Sequence, residues 1–159
     1  GRDVTRLVGM TQAGCEAVSL GMRAQDWEEV RRMMWTEDRA EFARMHWLLR
    51  GVKLQMLAAD GEPVSIGGFS PSTPGVWVAW MVSTDRLHEV GRALSVEMRR
   101  KVAAMLKLPE VQRIEAHSWK GHTESHDWLR LLGFELESVR RKAGKDGSDF
   151  LVFAATRED

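Results

Sequence analysis

The chain has 159 residues with 23 Lys plus Arg against 23 Asp plus Glu, so its formal charge is zero. That balance excludes a general attraction to nucleic acid, and no stretch approaches the roughly 18 apolar residues that a membrane helix needs. The single cysteine excludes an internal disulfide and a cysteine-rich zinc site and favours a cytoplasmic protein, and the length suits one domain over residues 1–159.

The N-terminal third of the chain predicts two helices after an extended start. Residues 1–14 show no clear period and are interpreted as a strand or arm, and 15–22 as a strand in which Cys15 is a small buried apolar residue. Helices are predicted over 23–35, with acidic residues early and arginines late, and over 36–50, with one apolar face.

The middle of the chain changes from helical to alternating spacing. Residues 52–59 alternate and predict a strand, a turn follows at 60–63, and 64–69 predicts the returning strand of a hairpin. The segment 70–75 contains two prolines and predicts a loop. Residues 76–82, "VWVAWMV", are apolar throughout and predict a central strand that is covered on both faces.

The C-terminal half predicts two more helices and three strands. The longest helix is predicted over 85–108, where apolar residues recur at helical spacing. A strand over 110–119 and a short helix over 123–132 follow. Residues 134–143 and 149–156 predict a closing hairpin.

This order, β-α-α-β-β-β-α-β-α-β-β, predicts a mixed α+β fold with a mostly antiparallel central sheet of six to seven strands and about four helices. Four strings resemble, in the same order, those of the GCN5-related N-acetyltransferase (GNAT) superfamily. They are "MRAQD" (22–26), "VWVAWMV" (76–82), "HEVGRA" (88–93) and "GHTESHDWLRLLGF" (121–134). In the third string a histidine stands where the family has Arg or Gln.

The resemblance implies acetyl-CoA as an acyl donor and an unidentified amine, small molecule or protein, as acceptor. Backbone N–H groups at a helix start favour phosphate, and small residues there let it approach. The pantetheine arm would follow the central strand. The implied coenzyme-binding residues are Trp80, Met81, Val82, Ser83, His88, Val90, Gly91, Arg92 and Ala93. The residues by themselves leave an ordinary helix start open, with Gly91 as a tolerated helix glycine.

Acyl transfer to an amine needs a base for the amine and a proton for the leaving thiolate. Members of the family commonly supply that proton from a Tyr whose place falls on Leu129 here, and the chain contains no Tyr. The central strand also lacks a carboxylate. His117, His122 and Ser125 are therefore the candidate catalytic residues, with polar loop or capping positions as the alternative. The spacing of the histidines could hold a metal, but no further ligand is evident and no metal is predicted.

The seven Trp residues support a different function. Most are expected in the core, with Trp77 and Trp80 on opposite sheet faces, but Trp119 and the strings "RRMMW" and "RMHW" could form a protein-binding surface. The second half also resembles acetyltransferase-like internal virion proteins of T7-type phages, through "SIGG", the Ser-Thr-Asp after the central strand and "RR" in the long helix. The alternative is therefore a catalytically degenerate relative that binds a phage virion or host protein.

Overall fold

A computed structural model describes residues 4–159 and contains one seven-stranded sheet in the order β1-β2-β3-β4-β5-β7-β6. The strands are β1 (Arg6–Gly9), β2 (Val52–Leu57), β3 (Pro63–Thr73), β4 (Gly75–Ser83), β5 (Val111–Trp119), β6 (Glu135–Arg140) and β7 (Phe150–Thr156). The α-helices are α1 (Gln12–Leu20), α2 (Ala24–Val30), α3 (Arg39–Trp47), α4 (Gly91–Met105) and α5 (Thr123–Leu131). Among the described strands, β4 and β5 form the one parallel pair, so the predicted mixed α+β fold is confirmed.

The start of the chain differs from the prediction. Residues 15–22 are not a strand, because they belong mainly to α1, whose N-cap Thr11 accepts a hydrogen bond from the Gly14 N–H. The buried Cys15 and Val18 recur at helical spacing, and Met22 makes an isolated bridge outside the named strands. The first strand instead lies within the predicted arm, and residues 1–3 of that arm lie outside the described residues.

Three further boundaries differ. The predicted loop 70–75 is mostly the end of β3, and the helix predicted over 36–50 ends at Trp47. The helix predicted over 85–108 is two elements, a 3₁₀ segment (Asp85–Glu89) and then α4. The break occurs because the Val90 N–H bonds to the Leu87 carbonyl in the 3₁₀ pattern, so the α-helical ladder begins afresh after it.

The core consists of two clusters, one on each face of the sheet. One contains the buried face of α4 and side chains of α5, and the other contains residues of α1 and α3. Trp77 packs against the first cluster and Trp80 against the second. An odd separation along a strand places two side chains on opposite faces, so this prediction is confirmed.

Candidate functional site

The parallel strands β4 and β5 separate in the middle of the sheet. They pair from Gly75 and Val111 as far as Ala79 and Ala116, and no pairing between them is recorded among residues 4–159 beyond that point. Both strands nevertheless continue, β4 to Ser83 and β5 onward by three residues. A gap therefore opens between their C-terminal ends, which is where ligands bind in open α/β sheets.

Backbone groups on β4 alternate between the gap and the neighbouring strand β3. The Thr84 N–H bonds to Val64 of β3, whereas the Ser83 N–H turns the other way, to the Asp26 carboxylate. By the same alternation Met81 faces the gap. Four residues of β4 were predicted to contact the pantetheine arm. Of these, Trp80 and Val82 direct their backbone groups to β3. The Ser83 N–H donates to the Asp26 carboxylate, and the Ser83 carbonyl accepts from the Arg23 N–H.

A cavity of about 790 Å³ occupies the gap. Its lining includes Met34 and Phe42 from the cluster on one sheet face, and Leu94 and Met98 from the cluster on the other. The cavity therefore reaches both faces of the sheet. Although β4 is central, its residues are half-buried on both sheet faces from Gly75 to Met81, so the prediction that both faces are covered is wrong. The cavity accounts for part of this exposure, because it is lined by the residues from Val78 onward.

The N-terminus of α4 lies at one end of this cavity. Gly91 lines it and is the first residue of the helix, and a Cβ added there would meet nothing within 4 Å. Among the described residues, no acceptor is recorded for the N–H groups of Gly91, Arg92 and Ala93. Unpaired N–H groups and the helix dipole attract anions at such a position.

Two of the residues predicted for this turn have other contacts. The Val90 N–H donates to the Leu87 carbonyl and its side chain is buried in the core, so this N–H is not available to a phosphate. His88 is exposed, lines the cavity, and its Nδ1 lies 3.2 Å from the Asp85 carbonyl oxygen. Of the four N–H groups predicted to face the phosphate, those of Gly91, Arg92 and Ala93 are therefore free within the described part of the chain and that of Val90 is not.

Two carboxylates of α2 hold the separated strand ends. Asp26 is 4 % exposed, accepts two hydrogen bonds from the Arg23 guanidinium and binds the end of β4 as described above. Glu29 accepts from the Trp119 N–H at 2.7 Å and from the Ser118 hydroxyl at 3.0 Å, at the end of β5. Sequence reasoning looked for a carboxylate on β4 and missed these, because only the fold brings α2 to the gap.

His122 lies between the same two carboxylates. Its ring nitrogens are 3.6 Å from an Asp26 oxygen and 3.4 Å from a Glu29 oxygen, and the residue is 7 % exposed. Burial by itself lowers the pKa of His122, but the contact with Glu29 and the charges of Glu29 and Asp26 outweigh it, so the pKa is raised. A raised pKa favours the charged ring, and a ring that already carries both protons can donate to the two carboxylates but cannot accept a further proton.

The other two candidate catalytic residues also line the cavity. His117 lies on β5 beyond the separation point, and its Nε2 is 3.1 Å from an oxygen of Glu115. Ser125 is half-buried in the first turn of α5. At the place of the family's tyrosine, Leu129 is buried and lines the cavity, so it offers no proton.

A fourth histidine, His46 on α3, lines the cavity and was missed as a site residue. The string "RMHW" predicted a surface position, but the ring is half-buried, stacked on Phe42 at 3.8 Å and set edge-on to Trp80 at 4.5 Å between centroids. Only the packing of α3 against β4 brings these rings together, and the sequence carries no local signal for it.

The described residues contain neither a cluster of potential metal ligands nor a membrane-spanning helix. In residues 4–159 no three His, Cys, Asp or Glu side chains are arranged to hold a metal ion. Over the same part of the chain, no helix combines the length and apolar character needed to cross a bilayer.

Comparison with known proteins places this geometry in a recognised fold. No protein-family model and no curated protein matches the chain significantly. The GNAT-family acetyltransferase from Bacillus anthracis matches with TM-score 0.74 at 16 % identity, over 100 % of this chain and 98 % of its own. The ribosomal-protein-S18-alanine N-acetyltransferase from Escherichia coli matches with TM-score 0.69 at 13 % identity, over 98 % and 96 %. The aminoglycoside-bound AAC(6')-Ib, solved with ribostamycin and coenzyme A, matches with TM-score 0.70 at 16 % identity, over 98 % and 94 %.

These similarities define the class of fold. The fold of the described residues matches acetyltransferase structures over nearly the whole of both chains. The chain therefore has the fold of the GCN5-related N-acetyltransferases, and the resemblance seen in its sequence is confirmed at the level of the fold.

Proposed function

We propose that the protein is an acetyl-CoA-dependent N-acyltransferase that transfers an acetyl group to an amine. The observation that carries the proposal is the coincidence of three features in one cavity: the gap between β4 and β5, the unpaired N–H groups at the start of α4, and open space beside Gly91. Together they would place an anion-binding helix start, at Gly91, beside a gap that is lined largely by apolar side chains.

The residues present fit coenzyme A. The N–H groups of Gly91, Arg92 and Ala93 would hold the pyrophosphate, and the exposed Arg92 side chain adds a positive charge there. The backbone of Met81, which faces the gap, would bond to the pantetheine arm as a strand neighbour does. The coenzyme supplies the acetyl group as a thioester, whose carbonyl an amine can attack.

The acceptor amine would reach the thioester from the face that carries α2 and α3. Glu29, Asp26 and Glu124 line this part of the cavity and outnumber Arg23, so its charge favours a cationic or amine-bearing molecule. Among the structural neighbours, one is bound to ribostamycin and another is named for the alanine of a ribosomal protein, and the lining of this cavity does not select between such molecules.

Direct binding of acetyl-CoA tests the proposal. Calorimetric titration should give one site per chain, and thermal unfolding should shift upward, with about 2.7 kcal/mol of added stability when the ligand is at about 100 times its dissociation constant. Release of free coenzyme A in the presence of a panel of amines would then identify acceptors. An absence of binding at millimolar acetyl-CoA would overturn the proposal.

A non-catalytic function is the second candidate, and the exposed residues after α2 support it. The Trp35 side chain is completely exposed, and Met33 and Met45 are each about half exposed. Exposed Trp and Met side chains are enriched at protein interfaces. Together with the lost tyrosine, they support a GNAT-fold module that binds a phage virion or host protein, and chains that bind no acetyl-CoA but assemble with such a partner would establish it.

A further inference from the structure

The environment of His46 distinguishes it from the other histidines of the chain. Its Nδ1 lies 2.9 Å from the Phe42 carbonyl oxygen, one turn back along α3. A carbonyl oxygen can only accept, so Nδ1 carries the proton and Nε2 of the neutral ring carries a lone pair. The main chain of α3 therefore sets the tautomer.

The Nε2 atom of His46 has no competing partner. Within residues 4–159 this atom has no hydrogen-bond partner, and it is not fully buried. The residue lines the cavity beside Trp80, at the point on β4 where the strand leaves β5. A basic nitrogen is thus available at the cavity face from which the acceptor is proposed to enter.

The remaining histidines are already engaged. His117 faces Glu115, and His122 is held between two carboxylates. His126 is buried, does not line the cavity, and its Nε2 lies 3.0 Å from the Trp119 carbonyl oxygen. His88 resembles His46 in that its Nδ1 lies against a carbonyl oxygen, that of Asp85, but it is exposed and lies in the 3₁₀ segment just before Gly91, where the phosphate is proposed to bind.

We propose that Nε2 of His46 is the general base of the acyl transfer, receiving the proton that the acceptor amine loses; this inference rests on the function proposed above. The step balances in atoms and charge. The amine nitrogen bonds to the acyl carbon, the carbon–sulfur bond breaks, Nε2 takes one proton from the nitrogen, and the released thiolate takes one proton from solvent. The proton on His46 then returns to solvent.

Burial favours the neutral form of His46. It lowers the pKa of the ring, and the Phe42 carbonyl opposes this only in part. The charged and titratable groups that line the cavity with it are Arg23, Asp26, Glu29, Asp85, His88, His117, His122, Glu124 and Asp127. None of them contributes to the shift of the His46 pKa, which follows from burial and the main-chain contact.

A first experiment needs no catalysis. Nitrogen-detected NMR of the imidazole rings reports which nitrogen is protonated and at which pH the ring titrates. His46 should be the Nδ1–H tautomer with a pKa below about 6.5, the ordinary value for histidine. A ring protonated on Nε2 at neutral pH, or one that titrates above the ordinary value, would overturn the proposal.

The second experiment compares His46→Gln and His46→Phe with the unmodified chain. Both should bind acetyl-CoA as the unmodified chain does, and both should lose about 100-fold or more in kcat/KM, the usual contribution of a general base. The fall of kcat/KM at acid pH should also disappear. His46→Phe keeps an aromatic ring against Phe42, so it separates loss of the base from loss of packing.

His126→Gln is the matched control, since it removes another histidine that is stacked on a phenylalanine but lies outside the cavity lining. It should lower thermal stability and keep the pH profile. If the unmodified chain acetylates an amine and the His46 variants keep its rate and pH profile, the general base is not His46, although the enzyme proposal stands. If the unmodified chain does not bind acetyl-CoA, the enzyme proposal itself fails.

Discussion

The Asp26 carboxylate accepts the backbone N–H of Ser83 at 2.8 Å, and so joins the start of α2 to the free end of β4. Glu29, one turn later, makes the corresponding contact with Trp119 at the end of β5. Each separated strand is therefore held by a carboxylate of the same helix. The two carboxylates accept hydrogen bonds from main-chain N–H groups that have no partner on the adjacent strand, and so they support the gap between the strands.

Removal of the Asp26 carboxylate should destabilise the fold. Asp26→Ala leaves the Arg23 guanidinium, whose side chain is only 11 % exposed, and the Ser83 N–H without this acceptor. Breaking a buried ion pair from one side costs about 3 kcal/mol or more, measurable by urea denaturation. Asp127→Ala is the control, because Asp127 is 87 % exposed and pairs with Arg130 at 3.5 Å, and it should cost less than about 0.5 kcal/mol. Equal costs for the two variants would contradict this account of the strand ends.

His122 should make stability depend on pH. Its pKa is raised in the folded chain, because Glu29 and Asp26 outweigh the effect of burial. A group with a raised folded pKa contributes stability below its unfolded pKa and loses that contribution as the pH rises through the folded value. The stability difference between the unmodified chain and His122→Gln should therefore be full below about pH 6.5, the ordinary value, and should shrink as the pH rises above it through the raised folded pKa. A difference that stays constant or grows with pH would show that the folded pKa is not raised.

Charge at the start of α4 should control binding of the coenzyme. Gly91→Glu places a carboxylate where the phosphate is proposed to lie, whereas Gly91→Gln adds a side chain of nearly the same shape without charge. Neither meets a neighbour at Cβ, and an acidic residue favours a helix start, so the unliganded Gly91→Glu chain should be as stable as before. Calorimetric titration should show a much larger loss of acetyl-CoA affinity for Gly91→Glu than for Gly91→Gln. Equal affinities would place the phosphate elsewhere.

Two glycines with positive φ should differ in their tolerance of alanine. Gly133 has φ +102° with open space around it, so Gly133→Ala should cost about 1–2 kcal/mol, the usual penalty of the left-handed region. Gly51 has φ +107°, and a Cβ there would lie 2.2 Å from the Phe69 carbonyl oxygen. Gly51→Ala should therefore cost more, because backbone must also move. Thermal unfolding compares them, and a smaller loss for Gly51→Ala would contradict the predicted close approach.

The sequence predicted those elements in which the apolar pattern extends over many residues or in which the ends carry strong turn or capping residues. The apolar run of β4 and the Gly133 turn after α5 lie where predicted, α4 lies within the longer helix that was predicted, and together they indicated the fold class. The main failure was α1, whose Thr11 cap was visible but whose short mixture of small and apolar residues was interpreted as a strand. A short segment of that kind fits both the helical and the strand period, and packing decides between helix and strand.

Local sequence by itself determined most of the helices and strands, and that a glycine stands at the start of the long helix, because backbone preference and apolar spacing act over a few residues. Only the tertiary structure decided that Asp26, Glu29 and His122 meet at the strand ends, and that the half-buried His46 lines the cavity beside Trp80. The contacts of His122 with Asp26 and Glu29 join residues almost 100 positions apart. The position of His46 follows from the packing of its ring between Phe42 and Trp80. Proton affinity depends on burial and on neighbouring charge, and neither exists until the chain has folded.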